Sequence, residues 1–206
     1  MGRYTGPTDR LSRREGVNLM LKGARSESGK LERRMSPPGM HPWRRGRTSE
    51  YGQRLREKQK LKRYYGIRDR QFTKYFRMAE RIRGNTGAAL LGILERRLDN
   101  IIYKLGFAES RPAARQTVGH GHIYVNGRRC NIASCLLNAG DVISVKPSDR
   151  SKNLVRRRLE ELGDPHLQNW MTLDMPKLEA RIVAMPTQDD VSLPVDVQLI
   201  VEICSR

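Results

Sequence analysis

The spacing of apolar residues divides the chain into a helical part and a later part of alternating strands. Between residues 49 and 106 apolar positions recur every three or four residues, as on one face of a helix. Ser49, Thr86 and Ser110 are residue types that cap helix N-termini, and glycines interrupt the pattern between helices. The predicted helices cover residues 49–65, about 70–83, 86–106, and 110 to 119 or 121.

After residue 121 the period of the apolar positions changes from 3.6 to two. Ile123, Val125, Cys130 and Ile132 alternate around Asn126-Gly127, the strongest short signal of a β-hairpin. A strand over 142–145, a helix over 151–163 and one or two strands over 169–186 complete this part, and the apolar tail after residue 194 is expected to dock. Together these elements predict an α+β fold.

The first 48 residues lack a sustained period. Gly, Pro, Ser and Arg dominate them, and the prolines and glycines of "MSPPGMHPWRRGRTS" exclude a long helix. We expect a basic, extended segment with one short helical piece around Gly16–Lys22.

Charge is the most informative feature of the composition. The formal net charge is +18, and residues 1–83 contain 24 Lys and Arg against 8 Asp and Glu. Such a field predicts a polyanionic partner, and nucleic acid is the commonest one in a reducing cell. Three cysteines do not make a disulfide framework, and neither a membrane-spanning apolar run nor a signal peptide is evident. We therefore expect a cytoplasmic protein.

Motifs for catalysis or metal binding are weak. His120 and His122 have no acidic residue between 110 and 129 to complete a metal site, and HExxH and GxSxG are absent. Cys130 and Cys135 have no second cysteine pair, as a structural zinc site would require. "GARSESGK" has the wrong spacing for a phosphate loop. The sequence predicts no enzyme activity, no cofactor and no metal.

Cations concentrate instead where the last two predicted helices meet the hairpin. Arginine offers planar, bidentate donors to phosphates and base edges, and such an array suits RNA. The candidates are Arg96, Arg97, Arg111, Arg115, His120, His122, Arg128 and Arg129.

A second group, Arg54, Lys58 and Lys62, lies at four-residue intervals on the first predicted helix, where like charges repel. Either an anionic partner covers this face, or Glu50 and Glu57 soften the repulsion and the face is merely solvated. Both interpretations remain open at this point.

The stretch "ERRLDNIIYKLGFAESRPAARQTVGHGHIYVNGRRCNIAS" resembles the RNA-binding module named after ribosomal protein S-four. The flanking "LSRREGVNLMLKG", "SEYGQRLREKQKLKRYYGI" and "LIVEICSR" are similar to the bacterial S-four family of small-subunit ribosomal proteins. The resemblance spans nearly the whole chain.

The resemblance implies a mostly helical N-terminal domain, completed by the C-terminal tail, with an inserted α/β RNA-binding module that contains a small antiparallel sheet. The implied organisation is a basic extended segment at 1–48, a helical domain at 49–91 completed by about 186–206, and an inserted domain at 92–185 with the module at about 96–160.

The resemblance also implies a structural constituent of the small ribosomal subunit. The family binds small-subunit rRNA, nucleates assembly of the subunit body and influences translational accuracy through protein five. It lines the channel through which mRNA enters, beside proteins three and five, and the matching channel residues here are Arg44, Arg45 and Arg47. The implied rRNA-binding residues are Arg54, Lys58, Lys62, Arg96, Arg97, Arg111, Arg115, Gln116, His120, His122, Asn126 and Arg128.

Many relatives hold zinc with cysteines near the N-terminus, whereas this chain has Asp9, Ser12 and Ser26 in those places, which is typical of the zinc-free form. The same module also occurs in proteins of two other functional classes. An RNA-modifying or aminoacylating enzyme carrying the same module would need a separate catalytic domain, for which 206 residues leave no room. An RNA chaperone, or a repressor of its own messenger, remains an alternative or additional role.

Overall fold

The computed structural model describes residues 4–23, 36–41, 48–163 and 167–205. The chain forms two units: residues 1–91 with 191–206, and residues 92–190. In sequence order the second unit is therefore inserted into the first. Helices and an antiparallel sheet occur together, so the predicted α+β class is confirmed.

The described elements follow the order helices, hairpin and strand, helix, two strands, helix. The helices are α1 (Thr8–Glu15), α2 (Glu50–Tyr64), α3 (Asp69–Glu80), α4 (Thr86–Glu95), α5 (Leu98–Lys104), α6 (Arg111–Gly119), α7 (Asp149–Leu162) and α8 (Val197–Cys204). The strands are β1 (Ile123–Val125), β2 (Arg128–Arg129), β3 (Val142–Val145), β4 (Met171–Asp174) and β5 (Glu179–Ile182).

Side-chain caps fix the starts of several helices. As predicted, Ser49 accepts a hydrogen bond from the Gly52 N–H at 3.2 Å, and Ser110 accepts one from the Ala113 N–H at 3.3 Å. The predicted cap of α4 was wrong by one residue. Asn85, not Thr86, accepts the backbone hydrogen bonds there, because its carboxamide oxygen lies 2.9 Å from the Gly87 nitrogen.

The long helix predicted over 86–106 is instead two helices, broken at Arg96 and Arg97. Arg97 forms a β-bridge with Leu136, and the Leu98 N–H donates to the Cys135 carbonyl at 2.9 Å. These backbone groups bond a distant loop instead of the preceding turn, so α4 ends and α5 begins. The apolar period continues through the break, and for that reason the sequence pattern did not reveal it.

The helix predicted around Gly16–Lys22 was also wrong. The helix of this segment is α1, and Gly16 terminates it in the left-handed conformation, with φ at 68°. Of the residues that replace cysteines in this chain, Asp9 binds Lys22 at 2.7 Å and Ser12 accepts from the Leu19 N–H at 3.4 Å. These contacts join α1 to the loop that follows it.

The first unit is built on the buried faces of α2, α3, α4 and α8. Phe72, Tyr75 and Phe76 of α3 are all buried, so these aromatic side chains belong to the core and are not exposed for stacking on nucleic-acid bases. The C-terminal α8 packs on α2, which confirms that the apolar tail docks. On another side of α2, the carboxylate of Glu15 is enclosed and pairs with Arg56 and Arg63.

The second unit is a five-stranded antiparallel sheet, within the residues described, in the order β2-β1-β3-β5-β4. Asn126 and Gly127 have φ of 51° and 75°, the two left-handed conformations that a tight hairpin turn requires, and the predicted hairpin is confirmed. The buried side chains of α5, α6 and α7 meet those of the sheet in one core. Its members include Leu98, Ile101, Ile102, Phe107, Val118, Ile143, Val155, Trp170 and Ile182.

A buried cluster of charged side chains surrounds Asp99. Asp99 is 2% exposed and accepts hydrogen bonds from Arg97 at 2.6 Å and from Arg115 at 2.7 Å. Because Arg97 lies at the helix break and Arg115 on α6, one carboxylate ties α5, α6 and the break together.

A second buried ion pair joins the two places where the chain enters and leaves this unit. Lys104 binds the buried carboxylate of Glu95 at 2.6 Å and donates to the backbone carbonyl of Asp190 at 3.0 Å. Burial lowers the pKa of the Lys104 amine, and the nearby Glu95 carboxylate partly offsets that shift.

Substitution of Asp99 with Asn should destabilise the protein strongly. The variant keeps the shape of the side chain but removes the carboxylate charge that pairs with the buried Arg97 guanidinium, and breaking a buried ion pair in this way costs about 3–5 kcal/mol of unfolding free energy. Urea denaturation followed by circular dichroism measures this loss. Glu161→Gln, which breaks an exposed pair with Arg157 on α7, is the matched control and should cost less than about 0.5 kcal/mol. Equal effects of the two variants would contradict the structural role of Asp99.

Candidate nucleic-acid interface

Two of the predicted RNA-contacting arginines are inside the protein. Arg97 is 2% and Arg111 is 4% exposed. Arg97 binds Asp99, whereas Arg111 donates to the Asn100 side chain at 2.8 Å and lies over the Tyr103 ring. In the free chain both guanidinium groups are therefore held by internal partners, and direct contact of either with RNA stays a prediction. The sequence could not show this burial. Asp99 and Asn100, which pair with the two arginines, are polar residues in a predicted helix, and nothing in the local pattern distinguishes them from exposed ones.

Only part of each of the Arg96 and Arg115 side chains is available to contact nucleic acid. Arg96 donates to the Leu137 carbonyl at 2.7 Å and to the Asn138 side chain, and burial lowers the pKa of its guanidinium. Arg115 points one edge at Asp99 while about a quarter of its side chain is exposed. Both side chains are therefore oriented by internal partners at the surface of the unit.

The three cations predicted on α2 are paired with acids of the first unit. Arg54 binds Glu202 of α8 at 2.6 Å and Glu50 at 3.2 Å. Lys62 binds Asp69 of α3 at 2.9 Å, and Lys58 lies 3.9 Å from the same carboxylate. The like-charge repulsion expected from the four-residue spacing is therefore neutralised. Glu50 contributes, as expected if the face is merely solvated, but most of the neutralising carboxylates come from other helices.

The remaining predicted residues lie at the surface, around α6 and the hairpin. Gln116 and His120 are exposed on α6 and at its end, and Arg128 is exposed on β2. Asn126 is exposed in the turn, where its side chain accepts from the Val142 N–H at 2.9 Å and donates to Asp141 at 2.8 Å. Asn126 therefore holds the turn against β3.

A glycine brings the hairpin close to the two histidines. Gly121 is buried with φ at 74°, and the Arg129 side chain occupies the space that a Cβ at this position would need. Arg129 therefore lies against Gly121, the residue between His120 and His122, whose ring centroids are 6.1 Å apart.

Next to the histidines, α6 and α7 enclose a cleft of about 540 Å³. It is lined by Glu109, Ala113, Gln116, Thr117, His120, His122, Arg150, Leu154 and Arg158. The pKa of His122 is lowered by burial first, and then by the positive field of His120, Arg158, Lys146 and Arg150. We give the name hairpin–cleft surface to the basic residues of this region: His120, His122, Arg128, Arg129, Lys146, Arg150 and Arg158.

The sequence analysis missed three members of this surface: Lys146, Arg150 and Arg158. The backbone of Lys146 donates to the His122 carbonyl at 2.8 Å, and α7 carries both arginines. The pairing of β1 with β3 was the signal that could have placed Lys146, since it follows β3 directly. The position of α7 depends on core packing and left no local signal.

Some predicted residues lie outside the described part of the chain, namely Ser26, Arg44, Arg45 and Arg47. Within the described part, no cluster of three or more His, Cys, Asp or Glu side chains has the arrangement of a metal site. The described helices also include none that is long and apolar enough to cross a membrane.

Comparison with known proteins matches both units to families. A family model described as "Ribosomal protein S4/S9 N-terminal domain" matches residues 3–95, and one described as "S4 domain" matches residues 96–143. The chain is 52% identical to the "Small ribosomal subunit protein uS4" of Halothermothrix orenii and 49% identical to that of Thermus thermophilus, in each case over 100% of both chains. These matches confirm the resemblance stated from the sequence. With about half of the positions identical along the full length, the chain belongs to the uS4 family of small ribosomal subunit proteins.

Proposed function

We propose that this protein is a non-catalytic constituent of the small ribosomal subunit in the cytoplasm, and that it binds small-subunit rRNA through its hairpin–cleft surface. The observation that carries this proposal is the absence of internal counter-charges there. None of Arg128, Arg129, Lys146, Arg150 and Arg158 forms an ion pair with a carboxylate among the described residues.

Unpaired cations of this kind favour a polyanion over a small or neutral ligand. Four of them, Arg128, Arg129, Lys146 and Arg150, are exposed in the free protein, and each can exchange its solvent for a phosphate, with release of the counterions that surround RNA. Arg158 is half-buried and already donates to Thr117 and Phe107. The arginines offer bidentate donors to phosphate oxygens, whereas Lys146 offers a compact charge.

Further hydrogen-bond donors lie at the rim of this surface. The carboxamides of Gln116 and Asn126 are neutral, and the exposed edge of Arg115 belongs to a guanidinium that Asp99 partly neutralises. Arg96 extends the same rim at the helix break.

The face of α2 is a second proposed contact, but of a different kind. On this face, Arg54, Lys58 and Lys62 already have carboxylate partners. An rRNA phosphate would replace an existing ion pair, so the binding free energy gained is only the difference between the two ion pairs. Asp69 is the shared partner of Lys58 and Lys62, and hydrogen bonding from Lys62 lowers the pKa of its carboxyl. Contact with rRNA at this face therefore competes with Asp69.

The finer roles rest on the family resemblance. We propose that the protein helps to nucleate the body of the subunit, that it contacts ribosomal proteins three and five, and that through the latter contact it influences accuracy. Arg44, Arg45 and Arg47, outside the described residues, are the proposed contacts of mRNA in the channel through which it enters. The strongly basic composition of residues 1–83 supports contact of the first unit with RNA.

Removing cations from the hairpin should weaken rRNA binding and reduce its salt dependence. The double variant Arg128→Ala/Arg129→Ala loses two proposed phosphate contacts, so the slope of log K against log salt concentration should fall by about 2. Filter binding of the full chain to small-subunit rRNA over a salt series measures the slope.

Lys177→Ala is the matched control for charge, since Lys177 is an exposed cation on the β4–β5 turn that pairs with Asp174. It should leave the slope unchanged. If the control and the double variant behave alike, net charge and not the hairpin–cleft surface accounts for binding. If rRNA fails to bind the unaltered protein, the proposed function is wrong.

Asp69→Asn should strengthen binding if α2 contacts rRNA. The substitution releases Lys58 and Lys62 from a carboxylate worth about 0.2–1 kcal/mol, which corresponds to an affinity gain of up to about fivefold. The same filter-binding assay at low salt measures it. Asp149→Asn, an exposed acid in the first turn of α7, controls for the loss of one negative charge. Unchanged affinity in Asp69→Asn would remove α2 from the interface.

A further inference from the structure

The α6–α7 cleft has an unusual balance of charge for a surface depression. Arg150 and Arg158 line it, and Lys146 acts on the same histidine from the segment after β3. Glu109 is the acidic residue of the lining. The cations of α2, by contrast, each have a carboxylate partner. The cleft therefore carries an excess of positive charge that the described acids do not neutralise.

Hydrogen bonds hold the cleft open and fix its walls. Arg158 donates to the Thr117 hydroxyl at 2.8 Å and to the Phe107 carbonyl at 3.2 Å, which orients its guanidinium across from α6. On the other wall, Nδ1 of His122 lies 2.9 Å from the Ser151 hydroxyl, which in turn lies 2.9 Å from that of Ser148. With Nδ1 occupied, Nε2 is the ring nitrogen that remains for an incoming group.

We propose that the α6–α7 cleft binds a phosphodiester of the RNA backbone, and that His122 takes up a proton when the phosphate binds. This inference rests on the proposed function, because it names the chemical group that the hairpin–cleft surface recognises and adds a regulation by pH. A phosphate fits the cleft because two arginines and the histidine converge there, with Gln116 and Thr117 as neutral neighbours.

The coupling follows from the charges that surround His122. In the free protein, burial comes first and then the neighbouring His120 ring and the cations Arg158, Lys146 and Arg150 in lowering the pKa of the His122 ring, and this shift favours the neutral imidazole. The carboxylate of Glu109 also lines the cleft, as the acidic member of its lining. A bound phosphate brings an opposite charge to the ring, which favours the imidazolium form and raises its pKa.

The sign of the pH dependence is then fixed. The complex holds more protons than the free protein at any pH between the free and the bound pKa of His122. Affinity for RNA therefore rises as the pH falls through this window, and one linked proton gives at most about a tenfold change per pH unit. Above the window both forms are neutral at His122, and the affinity becomes independent of this group.

The test measures binding of the full chain to a small-subunit rRNA fragment from pH 5.5 to 8.0 at constant ionic strength. The unaltered protein should bind more tightly as the pH falls, by several-fold over the steepest unit. His122→Gln, which keeps a hydrogen-bond partner for Ser151, should lose this dependence. His41→Gln is the matched control, because His41 belongs to the first unit, and it should keep the dependence.

A pH titration of the histidine ring by NMR tests the same coupling without a variant. The midpoint for His122 in the full chain should lie below 6.5 and should move upward when a short oligouridylate is added. An unmoved midpoint, or a pH dependence that survives in His122→Gln, overturns the inference. In either case tight, salt-sensitive rRNA binding would leave the proposed function intact, whereas loss of rRNA binding at every pH would overturn the proposed function itself.

Discussion

The carboxylate of Asp99 is the constraint on which the inserted unit depends. Two guanidinium groups converge on it, one from the break between α4 and α5 and one from α6. Their bonds fix the crossing of α5 and α6 and place the C-terminal end of α6 next to the hairpin. Without that orientation His120, Gly121 and Arg129 would not meet. A buried acid, itself only 2% exposed, therefore positions a basic surface.

Carboxylates within the protein form ion pairs with some cations of this strongly basic chain and leave others without a carboxylate partner. On α2 the positive side chains have carboxylates from α3 and α8, and within α5 and α6 the most buried arginines hold the fold together. The cations without a carboxylate partner in the described part of the chain include those of the hairpin–cleft surface, and others lie on α1 and α3, among them Arg10, Arg13, Arg70 and Arg77. Net charge thus measures how strongly the chain attracts a polyanion, whereas the pattern of ion pairs determines where it can be bound.

Local signals predicted much of this arrangement. Ser49, Ser110 and Asn126-Gly127 act through neighbours within a few residues, so their roles follow from the sequence itself. The break at Arg97 did not follow, because its backbone bonds a loop almost forty residues away. The burial of Arg97 and Arg111, and the placement of Arg150 and Arg158 opposite α6, likewise depend on tertiary packing. Family resemblance supplied the domain order and the partners, which periodicity alone could not give.

The docking of α8 on α2 has a consequence for synthesis of the chain. Ile200 is part of the buried set of the first unit, and Glu202 binds Arg54, yet both are translated after the whole inserted unit. The inserted unit has its complete core, and its Lys104 link between Glu95 and Asp190, before α8 exists. Folding on the ribosome therefore runs against the usual N-to-C order of domains, with the middle of the chain finished first.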